Sequence, residues 1–213
     1  MKYMKDASNR KTDEELVREI IQLGIDNIGI RSEIFSQMCK QLSSNPRNES
    51  VLRGWELLSI ICGCLTPGED FFDHFKSFIS KQQDQTILNY CRYIDYMLVR
   101  SVSRGERKYP PSEEEIACVR RACTISQKPV LCRIFTLDGT SKAIYIDPRT
   151  SVAEAEVDLI ARLKITDYTG FIMCESFGLQ EKKLKDHENI CDLLAFWEQE
   201  KIKSKYKNNF NIF

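Results

Sequence analysis

Residues 128–146 read KPVLCRIFTLDGTSKAIYI, and at this stretch the apolar pattern of the chain changes from helical to alternating. Residues 130–137 and 142–146 are rich in β-branched and aromatic side chains, which is typical of strands. Asp138-Gly139 between them favours a tight turn, because glycine tolerates the positive φ that hairpin turns need. The stretch therefore predicts a β-hairpin that opens a second domain at residue 128.

Upstream of this hairpin the sequence predicts one helix after another. Thr12-Asp13-Glu14-Glu15 has the pattern of a capping box, and apolar residues follow it at helical spacing. Further helices are predicted near residues 31–43, 48–65, 71–79, 84–98 and 112–123, with Asp84 and Ser112 as caps of the last two. The connections are short, so we expect residues 1–127 to form a six-helix (or larger) bundle.

Downstream, the order of predicted elements is that of a ubiquitin-like β-grasp fold. After the hairpin, Ser151-Val152-Ala153-Glu154 is another capping box and opens a helix that reaches Leu163. Short strands are then predicted at 171–175 and near 183–184, a helix at 190–197 and a last strand at 210–213. The fold class is thus mainly α: a helical bundle followed by an α+β lobe over residues 128–213.

The charge balance and the apolar pattern exclude several classes of function. The chain has 31 Lys+Arg and 31 Asp+Glu, 18 of each before Lys128 and 13 of each from there on. A general nucleic-acid binder carries a basic excess, so we expect no nucleic-acid partner. The N-terminus lacks the apolar region of a secretory signal, and no apolar stretch approaches the ~20 residues of a membrane span. We therefore expect a cytoplasmic protein.

Residues that could carry catalysis or bind a metal are few. The two histidines are His74 and His187, and Cys62-Gly63-Cys64 has no second Cys/His cluster at usual zinc spacing. Several of the nine cysteines fall at apolar positions, among them Cys39, Cys91, Cys123 and Cys132, so we expect reduced, buried thiols. A Cys–His nucleophile pair stays open as an alternative. The favoured interpretation is a protein that is not an enzyme and that has no metal and no cofactor.

Several stretches of the helical part resemble the myosin tail homology 4 domain. These are residues 30–38 (IRSEIFSQM), 40–42 (KQL), 45–46 (NP), 52–55 (LRGW), 107–112 (RKYPPS) and 115–116 (EI). In that family a FERM domain follows directly, and residues 130–197, with DGTSK at 138–142, resemble its first, ubiquitin-like lobe. The resemblance implies a tail module of an unconventional myosin, of a plant-type kinesin or of an adaptor without a motor.

The resemblance also implies that this sequence is part of a longer protein. Lys2-Tyr3-Met4 is similar to a point inside the homology domain, and the chain ends at Phe213, where the second and third FERM lobes are expected. The implied role is cytoskeletal and non-catalytic. The implied partners are protein cargo, microtubules and, within one molecule, the motor region, with membrane contact peripheral at most.

The strongest candidate for a binding site is a basic cluster at the end of a predicted helix. It consists of Arg100, Arg104, Arg107 and Lys108, interrupted only by Glu106. An exposed patch of this kind would suit the acidic surface of tubulin, and charge reversal there should spare the fold, since the residues lie in or near a loop. The alternative is that the cations complement the dipole at the helix C-terminus.

A second basic stretch lies near the end of the chain. Lysines alternate with other residues at Lys201, Lys203, Lys205 and Lys207. They are interpreted as a solvated linker face, with a phosphoinositide-binding face as the functional alternative. A membrane-surface adaptor that acts through such residues is therefore the rival to a motor-tail module.

Overall fold

The computed structural model describes residues 2–8, 10–122, 128–167, 169–177, 180–204 and 210–212. Its first part is helical and includes a short 3₁₀ turn at Ile28–Ile30. The helices are α1 (Asp13–Asp26), α2 (Arg31–Leu42), α3 (Asn48–Cys64), α4 (Glu69–Ser80), α5 (Leu88–Arg104) and α6 (Glu113–Ala122). Their number and order confirm the predicted bundle.

The second part is a five-stranded sheet with two helices. Its elements are β1 (Val130–Phe135), β2 (Ser141–Ile146), α7 (Val152–Leu163), β3 (Cys174–Phe177), β4 (Gln180–Lys183), α8 (Ile190–Ser204) and β5 (Phe210–Ile212). The strand order is β2-β1-β5-β3-β4, and β5 runs parallel to β1. This order in the sheet confirms the ubiquitin-like lobe.

Helix α3 lies at the centre of the bundle, and every residue from Leu57 to Cys64 on it is buried. Trp55, Leu58 and Ile61 are at most 1% exposed, and Trp55 stacks on Phe78 of α4 with 5.8 Å between ring centroids. A Cβ atom at Gly54 would lie 2.6 Å from the Cδ2 atom of Leu42 on α2, so the leucine side chain would have to shift. The missing side chain therefore allows α2 to approach α3 closely.

Each of the two parts has its own apolar core, but α6 contributes to both. Ile116 and Val119 belong to the core of the bundle. Cys118, on the same helix, packs into the core of the lobe beside residues of the sheet. Helix α6 is therefore shared between the two parts, and this packing ties the lobe to the bundle.

The predicted caps are partly confirmed. Both reciprocal capping boxes form, at Thr12 and at Ser151. The predicted cap at Asp84 is wrong: its carboxylate accepts the backbone N–H of Thr86 in a turn, and α5 begins only at Leu88. Ser112 does cap α6 by accepting the N–H of Glu115, whose carboxylate pairs with an arginine described below.

Two other elements differ from their predictions in extent. The sequence predicts the third strand at 171–175, but it runs over Cys174–Phe177, and α8 extends seven residues beyond 197, to Ser204. Residues 123–127 lie outside the described residues, so the boundary at residue 127 stays a prediction. None of the helices in the described ranges is long and apolar enough to cross a membrane.

Candidate binding groove at the domain junction

Arg107, in the segment between α5 and α6, is the centre of the contact between bundle and lobe. Arg107 is only 3% exposed. The Nη1 atom donates to Glu115 of α6 at 2.8 Å and to the backbone oxygen of Pro148 in the lobe at 2.8 Å. The Nε atom donates to Asp192 of α8 at 2.6 Å. One buried guanidinium thus bridges a carboxylate of each domain.

Asp192 also holds the backbone of the segment that carries Arg107. Its carboxylate accepts the N–H of Lys108 at 3.0 Å and that of Tyr109 at 3.3 Å. Burial opposes the charge on Arg107, but the charges of Glu115 and Asp192 outweigh it and raise the pKa of Arg107. The guanidinium therefore stays charged, and the path of the chain before α6 is fixed against the start of α8.

A second arginine crosses the junction in the opposite direction. Arg149 belongs to the lobe, is 1% exposed, and donates to the backbone oxygen of Gly105 at 2.6 Å and to the hydroxyl of Thr66 at 3.3 Å. No carboxylate of the described residues forms an ion pair with it. Burial lowers the pKa of Arg149 to about 10. It is a buried cation held by neutral oxygens.

A third set of contacts joins α5 to the lobe through Glu154. Arg100 donates to both carboxylate oxygens of Glu154, at 2.5 and 2.6 Å, and Arg104 donates to one of them at 2.6 Å. Asp147 accepts from Tyr96 at 2.8 Å and lies 3.1 Å from the Nε atom of Arg100. Burial raises the pKa of Glu154, but the hydrogen bonds and charges of the arginines dominate and lower it to about 2.

These contacts correct the predicted basic patch. Arg107 is not exposed but buried in the junction, so reversing its charge would not spare the fold. The side chain of Arg100 is 13% exposed and paired with lobe carboxylates, whereas that of Arg104 is 37% exposed. The physical reason is that the end of α5 faces the docked lobe instead of solvent. Binding to microtubules stays a prediction.

Arg104 and Lys108 do reach one surface feature, a groove of about 440 Å³ between the two domains, called here the junction groove. Tyr109 of the bundle side and Phe196 of α8 meet in it, with ring centroids 5.6 Å apart. Charged lining residues of both signs surround the rings, among them Glu106, Lys182 and Glu188, and His187 lines the groove beside them. The side chain of Lys108 forms no ion pair with a described residue. Such a mixture suits a polypeptide segment.

The residues considered for catalysis do not come together. His187 lines the junction groove, while His74 lies on α4, where it stacks with Phe71. Cys62 and Cys64 are buried in α3, and burial raises the pKa of Cys64 to about 12. Within the described ranges no group of three or more His, Cys, Asp or Glu residues could hold a metal ion.

The lysine alternation near the end of the chain is only partly described. Lys201 is exposed on α8, and Lys203 lies in the same helix. Lys205 and Lys207 fall outside the described residues. The predicted basic face therefore stays a prediction.

Sequence reasoning missed three functional residues of the junction: Asp192, Glu154 and Arg149. Asp192 and Glu154 lie in the first turns of α8 and α7, where acidic residues are common because of the helix dipole. Nothing local in the sequence shows that these carboxylates face arginines of another domain. Arg149 follows Asp147-Pro148 in a turn, and only its burial reveals that it is special.

Comparison with known proteins identifies both parts of the chain. Residues 17–118 match the family model of the MyTH4 domain, and residues 128–213 match that of the RA like domain. Unconventional myosin heavy chain 6 of Caenorhabditis elegans is 36% identical over 160 residues, which is 75% of this chain and 7% of that protein. Kinesin-like protein KIN-14E of Arabidopsis thaliana is 26% identical in an alignment 229 positions long, which covers 96% of this chain and 18% of the relative.

Solved structures give the same result. The MyTH4-FERM MF1 domain of Dictyostelium discoideum myosin VII superposes with a TM-score of 0.87 at 25% identity, covering 99% of this chain and 44% of the other. The human myosin 7b C-terminal MyTH4-FERM domain, solved in complex with the harmonin-a PDZ3 domain, gives 0.79 at 21% identity, covering 99% and 43%. The chain thus spans less than half of these solved chains and less than a fifth of the two relatives named above. It belongs to the MyTH4-FERM family, with a MyTH4 domain followed by the RA-like lobe of a FERM domain.

Proposed function

We propose that this chain is a non-catalytic tail module of a cytoskeletal motor, most similar to those of unconventional myosins, and that it binds protein cargo in the junction groove. The observation that carries the proposal is the bridge from Arg107 to Glu115 and Asp192. Because this bridge fixes the two domains against each other, the walls of the groove are held in one arrangement. A groove with preformed walls saves the ordering cost of binding.

The groove indicates the chemistry of its partner. Lys108 offers a cation that no described carboxylate neutralises, and Tyr109 with Phe196 offers aromatic surface. Aromatic anchors beside a charged rim are typical of protein interfaces. The expected occupant is a protein segment with an acidic side chain next to an apolar one. It can come from cargo or from the motor region of the same molecule.

Cross-linking tests this site whatever the identity of the cargo. A photoreactive phenylalanine is placed at Tyr109 in the groove or, as a matched control, at Tyr145, which is 52% exposed on β2. We expect a discrete cross-linked partner at position 109 that is lost in the Lys108→Glu variant and is absent at position 145. Equal products at both positions would contradict the groove as the cargo site.

Microtubules are the second proposed partner, and the relatives among kinesin-like proteins support testing them. Of the four residues of the predicted basic patch, Arg104 and Lys108 are accessible to an acidic surface. Binding through two cations is weak and sensitive to salt, since the Debye length is about 8 Å at physiological ionic strength. Lys108→Glu should reduce co-pelleting at low salt, and Lys76→Glu, exposed on α4, should not. Equal pelleting of both variants would exclude this surface.

A further inference from the structure

The RA-like lobe has a second groove, which shares no lining residue with the junction groove. It has a volume of about 560 Å³, within the roughly 300–1,000 Å³ range of ligand-binding clefts. Its walls come from α7, from the β1–β2 turn and from the segment before β3. The apolar lining includes Phe135, Leu137, Leu159, Ile160, Leu163, Ile165, Phe171, Ile172 and Met173. We call it the lobe groove.

The rim of the lobe groove is apolar and exposed. Leu137 is 95% exposed, Phe171 64% and Ile172 51%. Fully burying one such side chain contributes about 1.5–3 kcal/mol of hydrophobic free energy. A partner that covered all three side chains around this groove would therefore gain a large part of its binding free energy from them. Clustered exposure of this kind marks interaction sites, whereas single exposed apolar residues do not.

The charge of the residues that line the lobe groove indicates which kind of partner it can bind. The charged side chains among the described lining residues are Glu156 and Glu181, both acidic. The carboxylate of Glu156 accepts the backbone N–H of Met173 at 3.1 Å, which fixes it at the edge of the groove. Neither carboxylate forms an ion pair within the described part of the chain. An occupant that is apolar and cationic would complement both features.

We propose that the lobe groove binds an amphipathic segment of a partner protein that has an apolar face flanked by lysine or arginine. Apolar anchors at helical spacing fill such grooves in helix-in-groove recognition. The cations then meet Glu156 and Glu181 at the rim. This site goes beyond the proposed cargo site, because it uses none of the residues of the junction groove.

The test uses two labelled model peptides of the same length and leucine spacing, one with lysine and one with glutamate at the remaining positions. Binding to the full chain is followed by fluorescence anisotropy at physiological salt. We expect the lysine peptide to bind and the glutamate peptide to bind at least tenfold more weakly. Leu137→Asp and Glu181→Lys should each weaken the lysine peptide about tenfold.

A matched control keeps the result specific. Val157→Asp changes an apolar residue of α7 that is 64% exposed but does not line the groove, and it should leave binding unchanged. Since Leu137 is almost fully exposed, its substitution should leave the circular dichroism spectrum unaltered. No binding, equal binding of both peptides, or equal losses in Val157→Asp and Leu137→Asp would overturn the proposal. So would self-association that Leu137→Asp abolishes, because the occupant would then be a second copy.

Discussion

The guanidinium of Arg107 and the carboxylate of Asp192 meet across the domain junction at 2.6 Å, and both residues are at least 93% buried. Glu115 completes the arrangement from the side of the MyTH4 domain. A buried cation between two carboxylates is stable only while all three are present, because desolvation of each charge is costly. Among the contacts that couple the two domains, this one therefore depends on Arg107.

Replacing that side chain should destabilise the whole chain. In Arg107→Met the carboxylates of Glu115 and Asp192 stay buried without a cation, and breaking a buried pair in this way costs about 3–5 kcal/mol. We expect a loss of that size in the free energy of unfolding, measured by urea denaturation and circular dichroism. The backbone N–H groups of Lys108 and Tyr109 that donate to Asp192 should also lose protection from hydrogen exchange.

Arg104→Met is the matched control for Arg107→Met. The side chain of Arg104 is 37% exposed and shares Glu154 with Arg100, so Glu154 keeps a partner when Arg104 is lost. Exposed ion pairs contribute about 0–1 kcal/mol. Losses of equal size in the two variants would mean that the burial of Arg107 has no energetic consequence.

Arg149→Met should behave differently from Arg107→Met, although both arginines are buried. Arg149 donates to Gly105 and Thr66 and pairs with no described carboxylate. Its removal takes the donor away from these two neutral acceptors, and an unsatisfied acceptor of this kind costs about 1–3 kcal/mol of stability. The same substitution removes a buried charge that has no carboxylate partner, which offsets part of that cost. We expect the free energy of unfolding to change by less than half of the Arg107→Met loss. A loss as large as that of Arg107→Met would contradict this account.

The helices and strands could be predicted because their signals are local. Thr12 and Ser151 cap their helices through residues three positions ahead, and the turn at Gly139, with φ +81°, lies within the hairpin it closes. Asp84 shows the limit of such signals. Its carboxylate serves a turn two residues away, and the same residue type would equally suit a helix start.

The functional surface could not be predicted because its contacts are distant in the chain. Arg107 and Asp192 are 85 positions apart, and Arg100 and Glu154 are 54 apart. A basic helix end has the same sequence whether it faces solvent or a docked domain. The family resemblance gave the order of the domains, but it did not give the register in which α5 meets the lobe.

Stability at acid pH should depend on Glu154. Its pKa in the folded chain is about 2, below the ordinary value of about 4.3, because arginine hydrogen bonds and charges outweigh burial. The stabilisation is therefore complete above about pH 4.3 and is lost as the pH falls towards 2. We expect Glu154→Gln to lower stability at pH 7 and to show a shallower loss between pH 4.3 and 2 than the parent, measured by urea denaturation at each pH.

Glutamine at position 154 can still complete the capping box with Ser151, so the variant isolates the charge. The control is Glu15→Gln, which alters the equivalent residue of the α1 capping box. Glu15 forms no ion pair with an arginine of the described residues. If both variants change the acid slope equally, the effect belongs to helix capping and not to the arginines.

Helix α3 approaches the lobe at Gly63, and a single methyl group there should disturb this contact. A Cβ atom at Gly63 would lie 3.0 Å from Cγ and 3.1 Å from Cβ of Pro148. The proline ring cannot rotate away, so the backbone of the lobe would have to move, and with it the Pro148 oxygen that Arg107 binds.

In an open helix, replacing glycine by alanine stabilises the fold by about 1 kcal/mol. We expect Gly63→Ala to forfeit that gain. We expect Gly63→Val to destabilise the chain and to speed hydrogen exchange of the Lys108 and Tyr109 N–H groups, which donate to Asp192 across the junction. Gly29→Ala, where nothing lies within 4 Å of the added atom, should be neutral or stabilising. If Gly63→Ala stabilises as Gly29→Ala does, and Gly63→Val leaves the exchange of these N–H groups slow, the contact at Pro148 does not hold the domains in register.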